Sequence, residues 1–443
     1  MDSVLLFVLG VVIILVGVAL SIALHEIGHL VPAKLFGVKV TQYMIGFGRT
    51  LFSFRRGETE YGVKAIPLGG YISMIGMFPP GKDGGSGRNA TTGFMQAMVQ
   101  DARTSSAETV GEGEEDRTFY RLPVWKRIVI MFGGPFMNLL IAVVLFGVLL
   151  MGFGTAQNSL TIGTVSQCVQ PTTSASQTCG SDAKQGPAAA AGLKPGDTIV
   201  SIGGKKMTSW AQSTAIIRAS ENTPLTVVLR RDGQERTVVL TPMTNTVAKL
   251  DANGQAVKSA DGSIETVKAG FVGIGPVQEL VPQPITSVLP AVGAQTAAVV
   301  GVVIHLPQRM VDVWNAAFGS GQRDPNGPIS LVGVGRAAGE LTALDGVPVV
   351  DKVYTMIGIL ASLNIALFVF NLIPLLPLDG GHIAGALWEG FRRSVAKLFK
   401  RRDPGPVDMA KLMPLTMAVV VVLGGMSLLL MYADIVKPVN LFG

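Results

Sequence analysis

Apolar positions fall in long unbroken runs rather than alternating with polar ones, and these runs set the layout of the chain. Residues 4–24 carry no charge, and Ser21 is their only clearly polar side chain. At about 1.5 Å per residue such a run crosses a hydrocarbon core about 30 Å thick. It does not read as a cleaved signal peptide: Asp2 precedes it in place of a basic cluster, it is too long, and His25-Glu26 follows it in place of a small-residue cleavage site. Runs at 128–152, which follows Lys126 and Arg127, at 353–376 and at 412–432 have the same character. The pattern predicts a polytopic α-helical membrane protein with four transmembrane helices, placed in 1–36, 126–152, 353–382 and 412–432. A weaker run, 293–311, includes His305, Pro307, Gln308 and Arg309. That polar end predicts a helix lying in the interface, within a linker over 244–352.

The pattern changes in the 37–125 loop. Residues 58–77 mix β-branched and aromatic positions around Pro67-Leu68-Gly69-Gly70, which predicts a hairpin, either a plain surface turn or a sheet dipping into the bilayer. Residues 79–118 are rich in Gly, Ser, Thr and acids and predict a flexible insertion. Beyond the second span, 160–243 reads as strand, short helix, strands, helix, strands, with Arg231-Asp232-Gly233 as a hairpin turn.

Composition agrees with the membrane reading. The 443 residues are 48% hydrophobic and 15% charged, with mean hydropathy +0.45, whereas soluble domains carry about a quarter charged residues. The net charge of +6 is modest, so the placement of basic residues matters more than their number. Lys39, Arg49, Arg55, Arg56, Arg121, Lys126 and Arg127 flank the first two spans, and Arg392, Arg393, Lys397, Lys400, Arg401, Arg402 and Lys411 fill 383–411. Positive-inside counting makes 37–125 and 383–411 cytoplasmic loops, with both termini and 153–352 outside. Cys168 and Cys179 then lie where disulfides form, and both a local bridge and two free thiols remain open.

Two of the four histidines stand in His25-Glu26-Ile27-Gly28-His29. On a helix His25 and His29 share one face, so two imidazoles can bind one zinc with Glu26 beside the metal-bound water. Ionisable groups at membrane depth are costly and usually functional. A catalytic zinc needs a third protein ligand. Glu58 and Glu60 are nearest but belong to the loop. Asp379, in Pro377-Leu378-Asp379-Gly380-Gly381-His382, ends the third span at the same predicted depth as His25. For His382 itself a surface or supporting role is expected.

Together with Gly133-Gly134-Pro135, Asn138 and the segment Ala191-Gly192-Leu193-Lys194-Pro195-Gly196-Asp197, these motifs resemble the site-2 protease family of intramembrane zinc metalloproteases. The nearest likeness is to bacterial regulator-of-sigma-E proteases, in a form with a single PDZ domain at 160–243. The resemblance implies one Zn2+ held by His25, His29 and Asp379, Glu26 as catalytic acid/base, and Asn371 at the substrate backbone or oxyanion. The family pattern Asn-x-x-Pro-x-Pro carries over at Pro374; Leu376 takes its second proline position and Pro377 follows. It further implies a multi-pass protein of the bacterial inner membrane, embedded in the lipid bilayer, that cuts the transmembrane segment of a single-pass protein. The expected substrate is an anti-sigma factor, with remnant signal peptides as a second class, and no nucleic-acid partner is expected. The PDZ domain would take a peptide or substrate C-terminus by adding it to a sheet edge, or would act as a spacer. A non-proteolytic scaffold has no need of Glu26. A zinc transporter would need polar residues along several spans, of which the second and fourth are nearly devoid.

Overall fold

The computed structural model describes residues 3–80, 94–169, 179, 184–249, 257, 259, 263–319, 321, 323–324 and 327–439. The chain forms two compact units, Met1–Gly152 with Pro284–Gly443, and Phe153–Gln283.

The first unit opens with α1, Ser3–Leu35. Its apolar side chains cover every side of the helix, as expected where one face meets lipid and the other protein. Val4, Val12, Val16 and Leu20 face outward, while Gly10, Ser21 and Gly28 are buried. A hairpin follows, β1 (Val40–Arg56) and β2 (Thr59–Met74), which reverses at Gly57 with φ 63°. The predicted hairpin over 58–77 therefore needs correcting. Its first strand lies earlier, at Val40–Arg56, and Gly69-Gly70 sit inside β2 rather than at the turn. Tyr43 lies opposite both Ile72 and Tyr61, so the start of β1 is sandwiched between two stretches of β2, and among the described residues the 66–74 stretch has a strand partner on one side only.

The predicted flexible insertion over 79–118 is also corrected in part. It contains α2, Phe94–Glu108, and a 3-10 turn, Glu115–Arg117; residues 81–93 lie outside the described residues. Arg117 grips Glu58 with two parallel bonds of 2.8 and 2.7 Å, and Arg103 pairs with Asp408. Next comes α3, Val124–Gly147, prolonged by a π-helical stretch, Val148–Phe153.

The second unit holds β3 (Thr155–Val165), α4 (Pro187–Ala190), β4 (Thr198–Ile202), β5 (Lys205–Lys206), α5 (Trp210–Ala219), β6 (Leu225–Arg231), β7 (Gln234–Leu240), β8 (Met243–Ala248), β9 (Thr266–Phe271) and β10 (Ile274–Val281). An antiparallel sheet runs β10-β3-β4-β6-β7 with β5 on β4, and β8-β9 form a separate ribbon. Alternate residues of β6, Leu225, Val227 and Leu229, point into a core with Ile162, Ile199 and Ile202. The predicted turn is present: Asp232 and Gly233 both have positive φ, 51° and 79°, the backbone that a two-residue hairpin needs. The unit is longer than the predicted 160–243, because β10 closes the sheet against β3. Cys168 and Cys179 are joined by a disulfide.

Returning to the first unit, the chain forms α6 (Val288–Ile304), α7 (Leu306–Phe318), α8 (Leu331–Ala343), α9 (Val349–Asn371), α10 (Asp379–Leu398) and α11 (Met413–Val436). Among the described residues, five helices are long and apolar enough to cross a membrane, against the four predicted; the additional one is Ile285–Ile304. The expected interfacial helix over 293–311 breaks at His305. The helix before the break, α6, shares a core with α3 and α9 through Val288, Val292, Ala142 and Ile365, and Val313 and Ala317 of α7 pack on Ala433 of α11. The 244–352 linker is thus largely structured. The third span stops at Asn371, short of the expected 382, and most of the predicted basic loop over 383–411 is α10.

One buried ion pair ties the second unit together. Asp197 is 1% exposed and takes two bonds from Arg231, at 2.5 and 2.6 Å, and one from the Lys194 amide at 2.8 Å. The guanidinium holds the Asp197 carboxyl below the usual carboxylate range. A depressed folded-state pKa stabilises above the unfolded value of about 3.9 and is lost as pH falls below it. Asp197→Asn should cost about 1–3 kcal/mol, read as faster amide exchange in β4 and β6 of the full chain at pH 7. The difference from wild type should shrink as pH is lowered through the acid range.

Candidate active site

The spacing of His25 and His29 on α1 puts both rings on one face, and the structure adds the third group from a distant segment. His25 Nε2 and His29 Nε2 are 3.2 Å apart, and each lies 3.4 Å from Asp379 Oδ2. A tetrahedral zinc with bonds of about 2.0–2.2 Å holds its ligand atoms about 3.3–3.6 Å from one another. The triangle's sides, 3.2, 3.4 and 3.4 Å, come within about 0.1 Å of that range. Asp379 Oδ2 is buried and makes no hydrogen bond, which leaves it free for a metal. Among the described residues this is the one group of three metal-binding side chains whose donor atoms converge. Glu58 is taken by Arg117, and Glu60 accepts from Gln42 at 3.3 Å, so neither nearby acid belongs to it.

The rings are oriented from α3. The Ile130 carbonyl accepts the Nδ1–H of His29 at 2.7 Å, which leaves Nε2 as the free lone pair. Asn138 is fully buried, with its amide 3.0 Å from His25 Nδ1 and its Oδ1 unpartnered. Turning that amide end for end puts Oδ1 on the ring nitrogen, where it accepts the Nδ1–H of a metal-binding imidazole, and removes the orphaned acceptor. Sequence reasoning named Asn138 within a motif but gave it no task.

Glycines supply the space. Gly28 of α1 and Gly133 of α3 meet backbone to backbone, too close for any side chain. A Cβ on Gly134 would lie 2.7 Å from His25 Cε1 and closer still to His29 Nε2, in the space over the donor atoms. At the third ligand, Gly380 and Gly381 let the 372–376 backbone fold onto the first turn of α10, where a Cβ on Gly381 would lie 2.6 Å from the Leu376 nitrogen. That fold aims Asp379, the first residue of α10, back at α1.

Glu26 is 8% exposed and faces β2. A Cβ on Gly70 would stand 2.9 Å from its Cγ, so the strand runs directly alongside it. Asn371 closes α9 and Pro374 sits in the turn that follows; neither joins the three-donor group. Asn371 is half-buried with no hydrogen bond to another described side chain, and Pro374 lines an apolar cavity of about 400 Å³ with Leu376, Ala384, Trp388 and Leu415. His382 contributes to a tight pocket with Met77, Phe119, Arg127 and Met409.

Residues 13–402 match the model of peptidase family M50. The chain is 34% identical over 454 aligned positions to "Zinc metalloprotease Rip1" of Mycobacterium tuberculosis, covering 99% of this chain and all of that one. It is 33% identical over 452 to the protein of that name from Mycolicibacterium smegmatis, with 99% and 100% covered. "Metalloprotease MmpA" of Caulobacter vibrioides is 27% identical over 393, with 87% and 85% covered.

The packing predicts that Gly134→Val, which fills the space over the rings, drops metal content from one zinc per purified chain to less than about a tenth. Elemental analysis measures this, with the tryptic pattern as a check that the chain stays folded. Full zinc content in the variant would contradict this packing.

Proposed function

The chain belongs to peptidase family M50, the site-2 proteases, and on that premise we propose that His25, His29 and Asp379 hold its zinc and that Glu26 is the catalytic acid/base. It is an intramembrane zinc metalloprotease. The single observation that carries the site assignment is the 3.2–3.4 Å triangle of donor atoms drawn from two segments some 350 residues apart.

Zinc, when bound, lowers the pKa of a water toward about 7 and polarises the scissile carbonyl. Glu26, next to His25 on α1, accepts the proton of the attacking water and passes it to the leaving amide nitrogen. Asn371, with its amide uncommitted, holds the substrate backbone or the developing oxyanion, and Pro374 shapes the wall beside it. The bond cut lies in the transmembrane segment of a single-pass protein. A substrate helix must unwind before its amides can be attacked, and the one-sided 66–74 stretch of β2, passing Glu26 at Gly70, offers an edge to hold it extended.

The topology we propose keeps both termini outside and His25 near the cytoplasmic face. Ile130 and Asn138, early in α3, meet His29 and His25, and α9 ends just before Asp379. The chain therefore leaves the site along α3 and returns along α9, so 153–348 makes no net crossing. In this reading Ile285–Ile304 enters the bilayer without reversing the topology. We read Phe153–Gln283 as a single PDZ domain that screens substrates outside, and its strand order and the cavity between α5 and residues 270–274 support this. The expected substrate is an anti-sigma factor, with remnant signal peptides as a second class.

The test co-expresses a tagged single-pass substrate with wild type or Glu26→Gln. The variant should keep one zinc per chain and lose at least about 10²-fold in cleavage rate, the contribution of a general acid/base. Equal cleavage by both would remove Glu26 from the mechanism. Asp379→Ala should lose zinc and activity together.

A further inference from the structure

Helix α10 has two apolar faces; the protein covers one and leaves the other largely exposed, with Trp388 at its edge also bordering the cavity beside Pro374 and Leu415. The covered face centres on Glu389 and Ala386, which pack toward α3; Glu389 is fully buried, pairs with Arg127 and accepts the Val407 amide at 2.9 Å. At about 100° per residue, Leu387, Trp388, Phe391, Val395 and Leu398 share an arc of about 100° on the opposite side. Leu387, Trp388 and Phe391 are 57%, 56% and 59% exposed and Leu398 is 77% exposed, with Trp388 stacked on Phe391.

The charge follows the same division. The acidic residues Glu389 and Asp403 are engaged with Arg393, at 3.0 and 3.5 Å. Lys397, Lys400, Arg401 and Arg402, at the C-terminal end of the helix, are exposed and have no acidic partner among the described residues. An exposed apolar stripe containing Trp, ending in four cations with no acidic partner among the described residues, is the composition of a helix lying in a headgroup layer, where cations are drawn to an anionic surface.

We infer that the outer face of α10 and the basic cluster at its end form a binding site for anionic phospholipid, with the apolar stripe in the acyl boundary and Lys397, Lys400, Arg401 and Arg402 on the phosphates. Because α10 starts at Asp379, lipid docking holds the helix that carries the third metal-binding group. The inference rests on α10 alone and not on the substrate reading, so its failure leaves the zinc site as described.

The test uses the full chain in phosphatidylcholine vesicles doped with brominated phosphatidylglycerol or, in parallel, brominated phosphatidylcholine. Trp388→Phe identifies the share of emission due to Trp388 among the four tryptophans. Brominated phosphatidylglycerol should quench that share at least about twofold more than brominated phosphatidylcholine. The preference should vanish in the combined Lys397→Gln, Lys400→Gln, Arg401→Gln, Arg402→Gln variant, with zinc content retained. It should also vanish for wild type in about 1 M salt, where screening falls to about 3 Å, which keeps the test decisive if the variant folds poorly. Equal quenching by the two lipids, a preference that survives salt, or no quenching of Trp388 because protein covers the face would each overturn the proposal.

Discussion

Hydrocarbon offers no hydrogen bonds, so every polar atom of a metal site inside an apolar bundle has to find its partner within the protein. Here the partners come from close approach. Gly28 and Gly133 bring α1 and α3 together backbone to backbone, which puts the Ile130 carbonyl on one imidazole and the Asn138 amide beside the other. The glycines after Asp379 do the same for the loop that leads into α10. Without those contacts the two histidines would be unoriented polar groups in a lipid-facing helix, and the carboxylate would have no reason to stay charged. Small residues at helix crossings supply this packing, because apolar lipid gives helices little hydrophobic reason to associate.

The rest of the first unit extends the same constraint. Asn364 on α9 donates to Ser21, one turn before His25, at 3.0 Å, and ties the returning helix to the first. The Thr342 hydroxyl of α8 bonds the Leu6 carbonyl at 2.8 Å where Gly10 lets the two helices touch. Ion pairs are kept to the ends: Arg127 with Glu389 toward one side, and Arg323 with Asp434 at the end of α11. The apolar middle of the bundle is thus held by packing and single hydrogen bonds, and His25, His29 and Asp379 gather their donor atoms within it.

How much of this the sequence carried depended on the kind of signal. That His25 and His29 share a face was legible from their spacing, and that Asp379 comes near them from its expected depth at the end of the third span. The hairpin was misplaced because Gly69-Gly70 looks like a turn, whereas its glycines serve the passage beside Glu26 and the real reversal is at Gly57. Helix α10 was hidden by its charge: Arg392, Arg393 and Lys397 read as a loop when only runs are counted, although the stripe from Leu387 to Leu398 has helical spacing. The role of Gly134 could not be read at all, since a missing side chain carries no chemistry until its neighbours are known. The structured part of 244–352 was missed because β10 is an edge strand whose partner, β3, lies over a hundred residues earlier.

The central claim is that one zinc is held by two imidazole nitrogens and one carboxylate oxygen, with its fourth position open to water. X-ray absorption at the zinc edge on the Glu26→Gln protein tests this most directly, because the variant keeps the ligands while halting turnover. The account predicts a shell of nitrogen and oxygen only, at about 2.0–2.2 Å, with the scattering signature of two imidazoles. In Asp379→Ala any zinc that remains should show one light-atom protein ligand fewer. A shell with sulfur, a single imidazole, or a spectrum unchanged by Asp379→Ala would contradict it.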